Sequence, residues 1–241
     1  MAKEKNSSKN NSAPKKKPYV ISVKANKKGK HILPIMNLLR IIVIPVYFLF
    51  KPFRFFGKKK APKGACLYVG NHYTMLEIAF MACMTWECVH FVAKRELFES
   101  KFVGIFARAI RAIPVNRDGN DVRGLLECFK CLKNGEKIAI YPEGTRNKSD
   151  AEMLPFKSGA ATMAIRTKTP VIPVMIYKKP RFFRCTHVLV GDPVDLSEYY
   201  DRKLTDEELS EADNKIRETM LQMRARHKEF LECKKKKGKK A

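Results

Sequence analysis

Two short stretches carry side chains able to move a proton and hold a phosphate. The first is Val69-Gly-Asn-His-Tyr-Thr-Met-Leu-Glu77. A histidine with one ring nitrogen held by a carboxylate keeps the other free as a general base near neutral pH. On a regular helix, five residues would separate these two side chains by about 140°, at ~100° per residue. They meet only if His72 sits in a turn and Glu77 in the first helical turn. Thr74-x-x-Glu77 has the form of a capping box with Thr74 at the N-cap, which supplies that arrangement. A plainer reading also fits, in which Glu77 only caps and His72 is an ordinary turn residue. The second stretch is Ile140-Tyr-Pro-Glu-Gly-Thr-Arg146. An apolar strand opening into Pro-Glu-Gly-Thr-Arg places backbone N–H groups, a hydroxyl and a guanidinium at the rim of a sheet. Such a rim suits a phosphate, which arginine grips with two parallel hydrogen bonds. The alternative there is a plain turn with a solvated arginine. Ile113-Pro-Val-Asn-Arg117 puts another arginine past a strand, and Val171-Ile-Pro-Val174 offers apolar lining without a reactive group.

The elements that must position these residues alternate along the chain. Strands are predicted at Ala65–Gly70, Val89–Ala93, Ala112–Asn116, Lys137–Tyr141, Val171–Tyr177 and His187–Gly191. Helices are predicted from Thr74 to about Met84, over Asp121–Lys133, over Ser158–Thr167 and from Thr205 onward. The last has apolar residues at Leu209, Ala212, Ile216, Met220, Met223 and Phe230. This alternation predicts an α/β fold, a mainly parallel central sheet flanked by helices. There is no internal repeat. No G-x-S-x-G elbow, phosphate-binding G-x-x-x-x-G-K-[ST] loop, G-x-G-x-x-G or H-E-x-x-H occurs, and no metal site is expected.

The chain has 241 residues, 45% of them hydrophobic, enough for a sizeable core. Its 49 Lys+Arg against 24 Asp+Glu give a formal net charge of +25. Fifteen of those charges lie at the ends, in residues 1–30 and 234–240. An anionic partner follows, whether nucleic acid, anionic lipid or a phosphorylated substrate. Residues 1–30, rich in Lys, Asn and Ser, read as a disordered basic arm. The apolar run 32–56 is interrupted by Asn37 and Arg40, broken by Pro34 and Pro45, and basic on both flanks. A helix lying in a membrane interface, or a re-entrant pair, fits these features better than a core helix or a span, with Phe53, Phe55 and Phe56 as further anchors. Seven cysteines, mostly in apolar runs, point to a reducing, cytoplasmic setting. No signal peptide is expected. Cys128-x-x-Cys131 lacks a second ligand pair and reads as helix packing.

Taken in order, N-H-x4-E, I-P-V-N-R, P-E-G-T-R and V-I-P-V resemble the four blocks of the glycerolipid acyltransferase family, most closely its bacterial 1-acyl-sn-glycerol-3-phosphate acyltransferases. Phe91-Val-Ala-Lys-Arg-Glu-Leu-Phe98 and Leu154-Pro-Phe-Lys-Ser-Gly159 are also similar to family stretches, and the likeness covers about residues 34–195. The resemblance implies that His72 deprotonates the sn-2 hydroxyl of lysophosphatidate. That hydroxyl then attacks the thioester of an acyl-CoA or acyl-carrier protein, giving phosphatidic acid without a resident cofactor. It implies that Glu77 supports His72, that Arg117, Gly144 and Arg146, with Glu143 and Thr145, hold the glycerol phosphate, and that Lys94 is a further phosphate ligand. The family usually has aspartate where this chain has Glu77, a difference of one methylene.

The expected organisation is a basic arm (1–30), a membrane-associating helical segment (31–60), an acyltransferase α/β domain (61–233) and a basic tail (234–241). The expected location is the cytoplasmic face of the cell membrane, peripheral or monotopic. Another lysophospholipid or an amino-acid lipid is the alternative acceptor. From other classes come a catalytically weak membrane protein and a nucleic-acid binder. The latter is not expected, because the folded part lacks basic residues interleaved with aromatics on one strand face.

Overall fold

The computed structural model describes residues 37–57, 62–116, 122–157 and 159–238. The basic arm 1–30 and Arg117 lie outside the described residues. One seven-stranded sheet runs through the molecule: β1 (Phe53–Gly57), β2 (Cys66–Gly70), β3 (Val89–Lys94), β4 (Ile113–Val115), β5 (Lys137–Ile140), β6 (Val171–Ile176) and β7 (Thr186–Val190). Its spatial order is β1-β7-β6-β2-β5-β3-β4. Every neighbouring pair is parallel except β6 with β7. The central strands β2, β5 and β6 are buried at every residue, as continuous apolar runs covered on both faces should be.

Alternate side chains of those strands feed two cores. Leu67, Val69, Ile138 and Met175 point to one side, where α4 (Val122–Lys133), α5 (Ala160–Thr167) and the long α6 (Asp206–Gly238) pack. Cys66, Tyr68, Ala139 and Ile176 point to the other, covered by α1 (Ile44–Phe50), α2 (Ile78–Ala82) and α3 (Lys101–Ala109). Thr205 starts α6 as a reciprocal cap: its N–H donates to Glu208 and its hydroxyl accepts from the Glu208 N–H.

Two expectations change. The apolar run near residue 50 is not helical to its end, because Phe53–Gly57 is an edge strand in parallel register with Thr186–Val190. Alternation is the reason: Phe53 and Phe55 enter one core while Phe56 packs against the other. Only glycine fits at the strand's end, since a Cβ on Gly57 would lie 2.0 Å from the Val190 carbonyl oxygen. The lysines from 234 onward are not a separate tail within the described residues, for α6 continues through them to Gly238. Lysine is a good helix former, and cations at a helix C-terminus meet its negative dipole end.

Arg40, which interrupts the N-terminal apolar run, is 7% exposed. It lies in a π-helical turn (Leu39–Val43) ahead of α1 and donates to the carbonyls of Ala82, Thr85, Trp86 and Glu87 at 2.7–3.0 Å. Those carbonyls lie at and just beyond the C-terminus of α2, where no helical partner is left for them. The arginine therefore latches the N-terminal segment to the sheet's α2 side. No described helix is long and apolar enough to cross a membrane.

On the opposite side, α6 is pinned to the sheet by an aromatic cluster. His187 Nδ1 and His227 Nε2 are 2.8 Å apart, with Phe56 and Tyr177 packed around them. Burial pulls both imidazoles below the ordinary histidine range, helped by the charge of Arg54 on His187 and by His187 itself on His227. Both are neutral in the fold, while the unfolded chain takes up protons near pH ~6.5. Their contribution to stability is complete above that pH and falls as pH drops below it. Between about pH 7.5 and 5.5 the wild-type thermal midpoint should fall relative to that of His227→Phe, a comparison that cancels the opposite contribution of buried Asp213, whose carboxyl is raised to about 6. A fall no steeper in the wild type than in His227→Phe would contradict the assignment.

Candidate active site

The order of the strands determines where a site can form. The connection leaving β2 runs through α2 on one face toward β3. The connection leaving β5 runs through α5 on the other face, back across to β6. Adjacent strands whose connections leave on opposite faces open a crevice beyond their C-terminal ends. Asn71, His72 and Tyr73 follow β2, and Tyr141 to Asn147 follow β5, so both chemically promising stretches meet at that crevice.

Glu77 closes the 3-10 turn Met75–Glu77 that precedes α2, and its side chain is wholly buried. One carboxylate oxygen lies 2.7 Å from His72 Nδ1. The other accepts the N–H groups of Tyr73 (2.8 Å) and Thr74 (2.6 Å). The bond to Thr74 is the reach-back half of the capping box. The full length of glutamate is thereby used, because the turn lets one carboxylate span the histidine and two backbone donors. Burial pushes the Glu77 carboxyl above its ordinary range, while the bonds from His72, Thr74 and Tyr73 act in the opposite direction. With Nδ1–H donated to Glu77, the lone pair of His72 lies on Nε2. The Tyr141 ring stacks on the imidazole at 4.6 Å and 20°, an orienting contact that the sequence alone did not show.

The two loops brace each other. The His72 N–H donates to Glu143 at 2.7 Å, and the Asn147 N–H donates to the His72 carbonyl at 2.6 Å. The other oxygen of Glu143 accepts the Leu154 N–H at 2.9 Å, and the residue is 1% exposed. Glu143, expected to help hold phosphate, is therefore a buried clamp between loops; a carboxylate committed to two backbone donors is not a ligand for an anion. Asn71 is a second clamp, exchanging hydrogen bonds with both backbone groups of Ile176 at the end of β6 (2.7 and 3.1 Å).

Beside His72 opens a cavity of ≈ 280 Å³ between α3, β3 and the β5 loop. Ile78, Phe91, Val103, Phe106 and Ile110 make its wall apolar, and His72, Lys94, Thr145 and Arg146 border it. Thr145 and Arg146 are exposed. Gly144 aims them from a backbone at φ +65°, where a Cβ would also come within 2.8 Å of the Lys157 side chain. Lys94 Nζ lies 3.0 Å from Glu96. The structure thus brings His72, Lys94, Thr145 and Arg146 to one cavity, with Glu77 bonded to His72 in the interior.

The chain matches the acyltransferase family over residues 52–177, more than half its length. It belongs to the acyltransferase family. It is 32% identical over 120 residues to the 1-acyl-sn-glycerol-3-phosphate acyltransferase of Bacillus subtilis, an alignment covering 46% of this chain and 57% of that one. With the enzyme of the same name from Borreliella burgdorferi it shares 30% over 131 residues, 53% and 52% of the two chains. The chain spans about half the length of these curated relatives. Among solved structures it is similar to the 1-acyl-sn-glycerophosphate acyltransferase PlsC of Thermotoga maritima. The TM-score is 0.63 and the identity 25%, over 83% of this chain and 81% of that one.

Replacing the carboxylate tests the His72–Glu77 arrangement. In Glu77→Gln the amide N–H₂ faces Nδ1 and forces the proton onto Nε2, so turnover should fall on the order of 10⁴-fold, as for a wrong tautomer elsewhere. Glu77→Asp withdraws the carboxylate by ~1.5 Å and should cost about a hundredfold. Wild-type turnover in Glu77→Gln would remove Glu77 from the machinery.

Proposed function

We propose that this acyltransferase moves a fatty acyl chain from a thioester donor to the sn-2 hydroxyl of 1-acyl-sn-glycerol-3-phosphate, giving phosphatidic acid. The observation carrying this reading is a carboxylate-held histidine at the border of an apolar cavity, with Thr145 and Arg146 on the same border. His72 Nε2 takes the hydroxyl proton as the oxygen attacks the thioester carbonyl. The tetrahedral intermediate collapses with cleavage of the C–S bond, and the departing thiolate recovers the proton from His72. Glu77 stabilises the transient imidazolium. No covalent enzyme intermediate is required. The acyl chain of a substrate lies in the apolar cavity, and Arg146 with Thr145 grips the acceptor's phosphate. The donor is acyl-CoA or acyl-carrier protein.

The distribution of exposed apolar side chains supports a membrane-surface setting. Leu38, Ile41, Ile42, Val46 and Leu49 in the N-terminal segment, Trp86 after α2, and Phe102 and Ile105 of α3 are all more than half exposed and lie on the α1–α3 side. Phe182 and Phe183 of the β6–β7 loop adjoin the end of α1, where Lys51 sits over the Phe182 ring at 4.3 Å. On the α4–α6 side the exposed large apolar residues, among those described, are Val122, Leu126 and Phe230. One apolar face edged by lysines suits an anionic bilayer surface. A lipid acceptor would then reach the cavity from that face. The seven cysteines are unpaired, in keeping with the cytoplasmic leaflet.

The detergent-solubilised chain, given lysophosphatidate with acyl-CoA and, separately, acyl-carrier protein, should form phosphatidic acid with at least one donor. His72→Ala should abolish transfer without unfolding the chain, and Arg146→Ala should chiefly raise KM for lysophosphatidate. Product from neither donor, or near-normal turnover in His72→Ala, would overturn the proposal.

A further inference from the structure

A second cluster of reactive side chains lies away from the acyl-transfer crevice, near the opposite ends of the strands. His90 is the second residue of β3, Cys131 lies in the last turn of α4, and Glu136 sits in the turn between α4 and β5. His90 points to the α4 side of the sheet, because its neighbours Val89 and Phe91 fill the other core. His90 is 0% and Cys131 1% exposed, and the Glu136 side chain is 12% exposed. One nitrogen, one sulfur and one oxygen from these residues all lie within 4.8 Å of one another.

The His90 ring is held in one orientation. Its Nδ1 is 3.1 Å from the Arg111 carbonyl, which can only accept, so Nδ1 carries a proton. His90 Nε2 then faces the cluster, 3.0 Å from Glu136 Oε2. Neither of those two buried atoms makes a hydrogen bond of acceptable geometry in the structure. An imidazole lone pair and a carboxylate oxygen at this distance repel unless a cation lies between them. In the metal-free chain protons fill this space, with the His90 ring and the Cys131 thiol both facing the Glu136 carboxylate. A metal ion would use all three donors at once.

We propose that His90, Cys131 and Glu136 form a binding site for a divalent transition metal, with zinc favoured by the donor set, distinct from the site of acyl transfer. Zinc takes imidazole nitrogen, thiolate and carboxylate at about 2.0–2.3 Å in tetrahedral geometry. Tetrahedral bonds of that length set the donors roughly 3.3–3.7 Å apart, so small side-chain movements close the triangle. The Arg111 carbonyl on Nδ1 is the outer partner that orients a metal-binding histidine. A neutral imidazole, a thiolate and a carboxylate carry two negative charges, which the ion balances. In the metal-free chain burial works against the Glu136 carboxylate, and the neighbouring His90, then Cys131 and the more distant Arg111 guanidinium, offset it. The fourth position is left for water. A metal here ties the end of α4 to β3 and to the start of β5, and so steadies the half of the sheet whose loops carry Arg146. The ligands are scattered over positions 90, 131 and 136, which is why no metal-binding spacing is visible in the sequence.

The test is titration of the full-length, metal-free chain with Co²⁺, followed by displacement with Zn²⁺. The expected result is uptake of one equivalent with a thiolate-to-cobalt charge-transfer band, loss of the band on adding Zn²⁺, and a rise in thermal midpoint with either ion. The band should vanish in Cys131→Ser and persist in Cys128→Ser, whose buried sulfur lies one helical turn away on α4. Absence of stoichiometric uptake by the wild-type chain would overturn the proposal whatever the variants do. A band that survives in folded Cys131→Ser would also overturn it, by placing the metal on other cysteines.

Discussion

A single buried carboxylate organises the reactive end of this molecule. Glu77 has no water to solvate it, so its two oxygens must be satisfied by fixed donors, and three are arranged around it. Two are backbone N–H groups of the turn after β2, which hold that turn shut. The third is His72 Nδ1, and donation there determines which ring nitrogen carries the lone pair. The same interaction thus fixes a loop, a ring orientation and a tautomer. Removing the charge would leave three buried donors with a poorer acceptor and would reverse the histidine's chemistry.

Everything around that carboxylate restricts movement of the two loops. Asn71 ties the end of β2 to β6, while Glu143 and the Asn147 N–H tie the β5 loop to His72 from two directions. These bonds run between segments 71 to 105 residues apart in sequence. They are possible only because the parallel sheet places the C-terminal ends of β2, β5 and β6 side by side. The crossovers leave β2 and β5 on opposite faces, and the crevice this creates continues into the apolar cavity beneath α3. Chemistry and substrate volume are therefore consequences of one topology.

Much of this was legible in the sequence because the signals were local. Continuous apolar runs marked the buried strands, and Thr74-x-x-Glu77 foretold a turn that would bring Glu77 back to His72. Where contacts are long-range, local reading failed. Glu143 sits in a stretch resembling a phosphate-binding block, yet its partners are the backbone of residues 72 and 154. Arg40 reads as a flaw in an apolar segment, and only the folded chain shows four carbonyls waiting for it. Phe53, Phe55 and Phe56 were equally compatible with an interfacial helix, since aromatic residues between cations do not choose a period without a neighbouring strand. The lysines near 234 lack the apolar spacing that announces a helix, and extend α6 because nothing interrupts it. The cysteine at 131 was read correctly as buried, but its approach to His90 depends on how α4 crosses β3.

The central claim is that His72 presents an unprotonated Nε2 because Glu77 holds the proton on Nδ1. The most direct measurement is ¹⁵N NMR of the histidine rings in the full chain near neutral pH, with His72 assigned by its loss in a His72→Gln variant. The account predicts a protonated Nδ1 and a bare Nε2 for His72, exchanging places in Glu77→Gln. A wild-type spectrum with the proton on Nε2 and the lone pair on Nδ1 would contradict it.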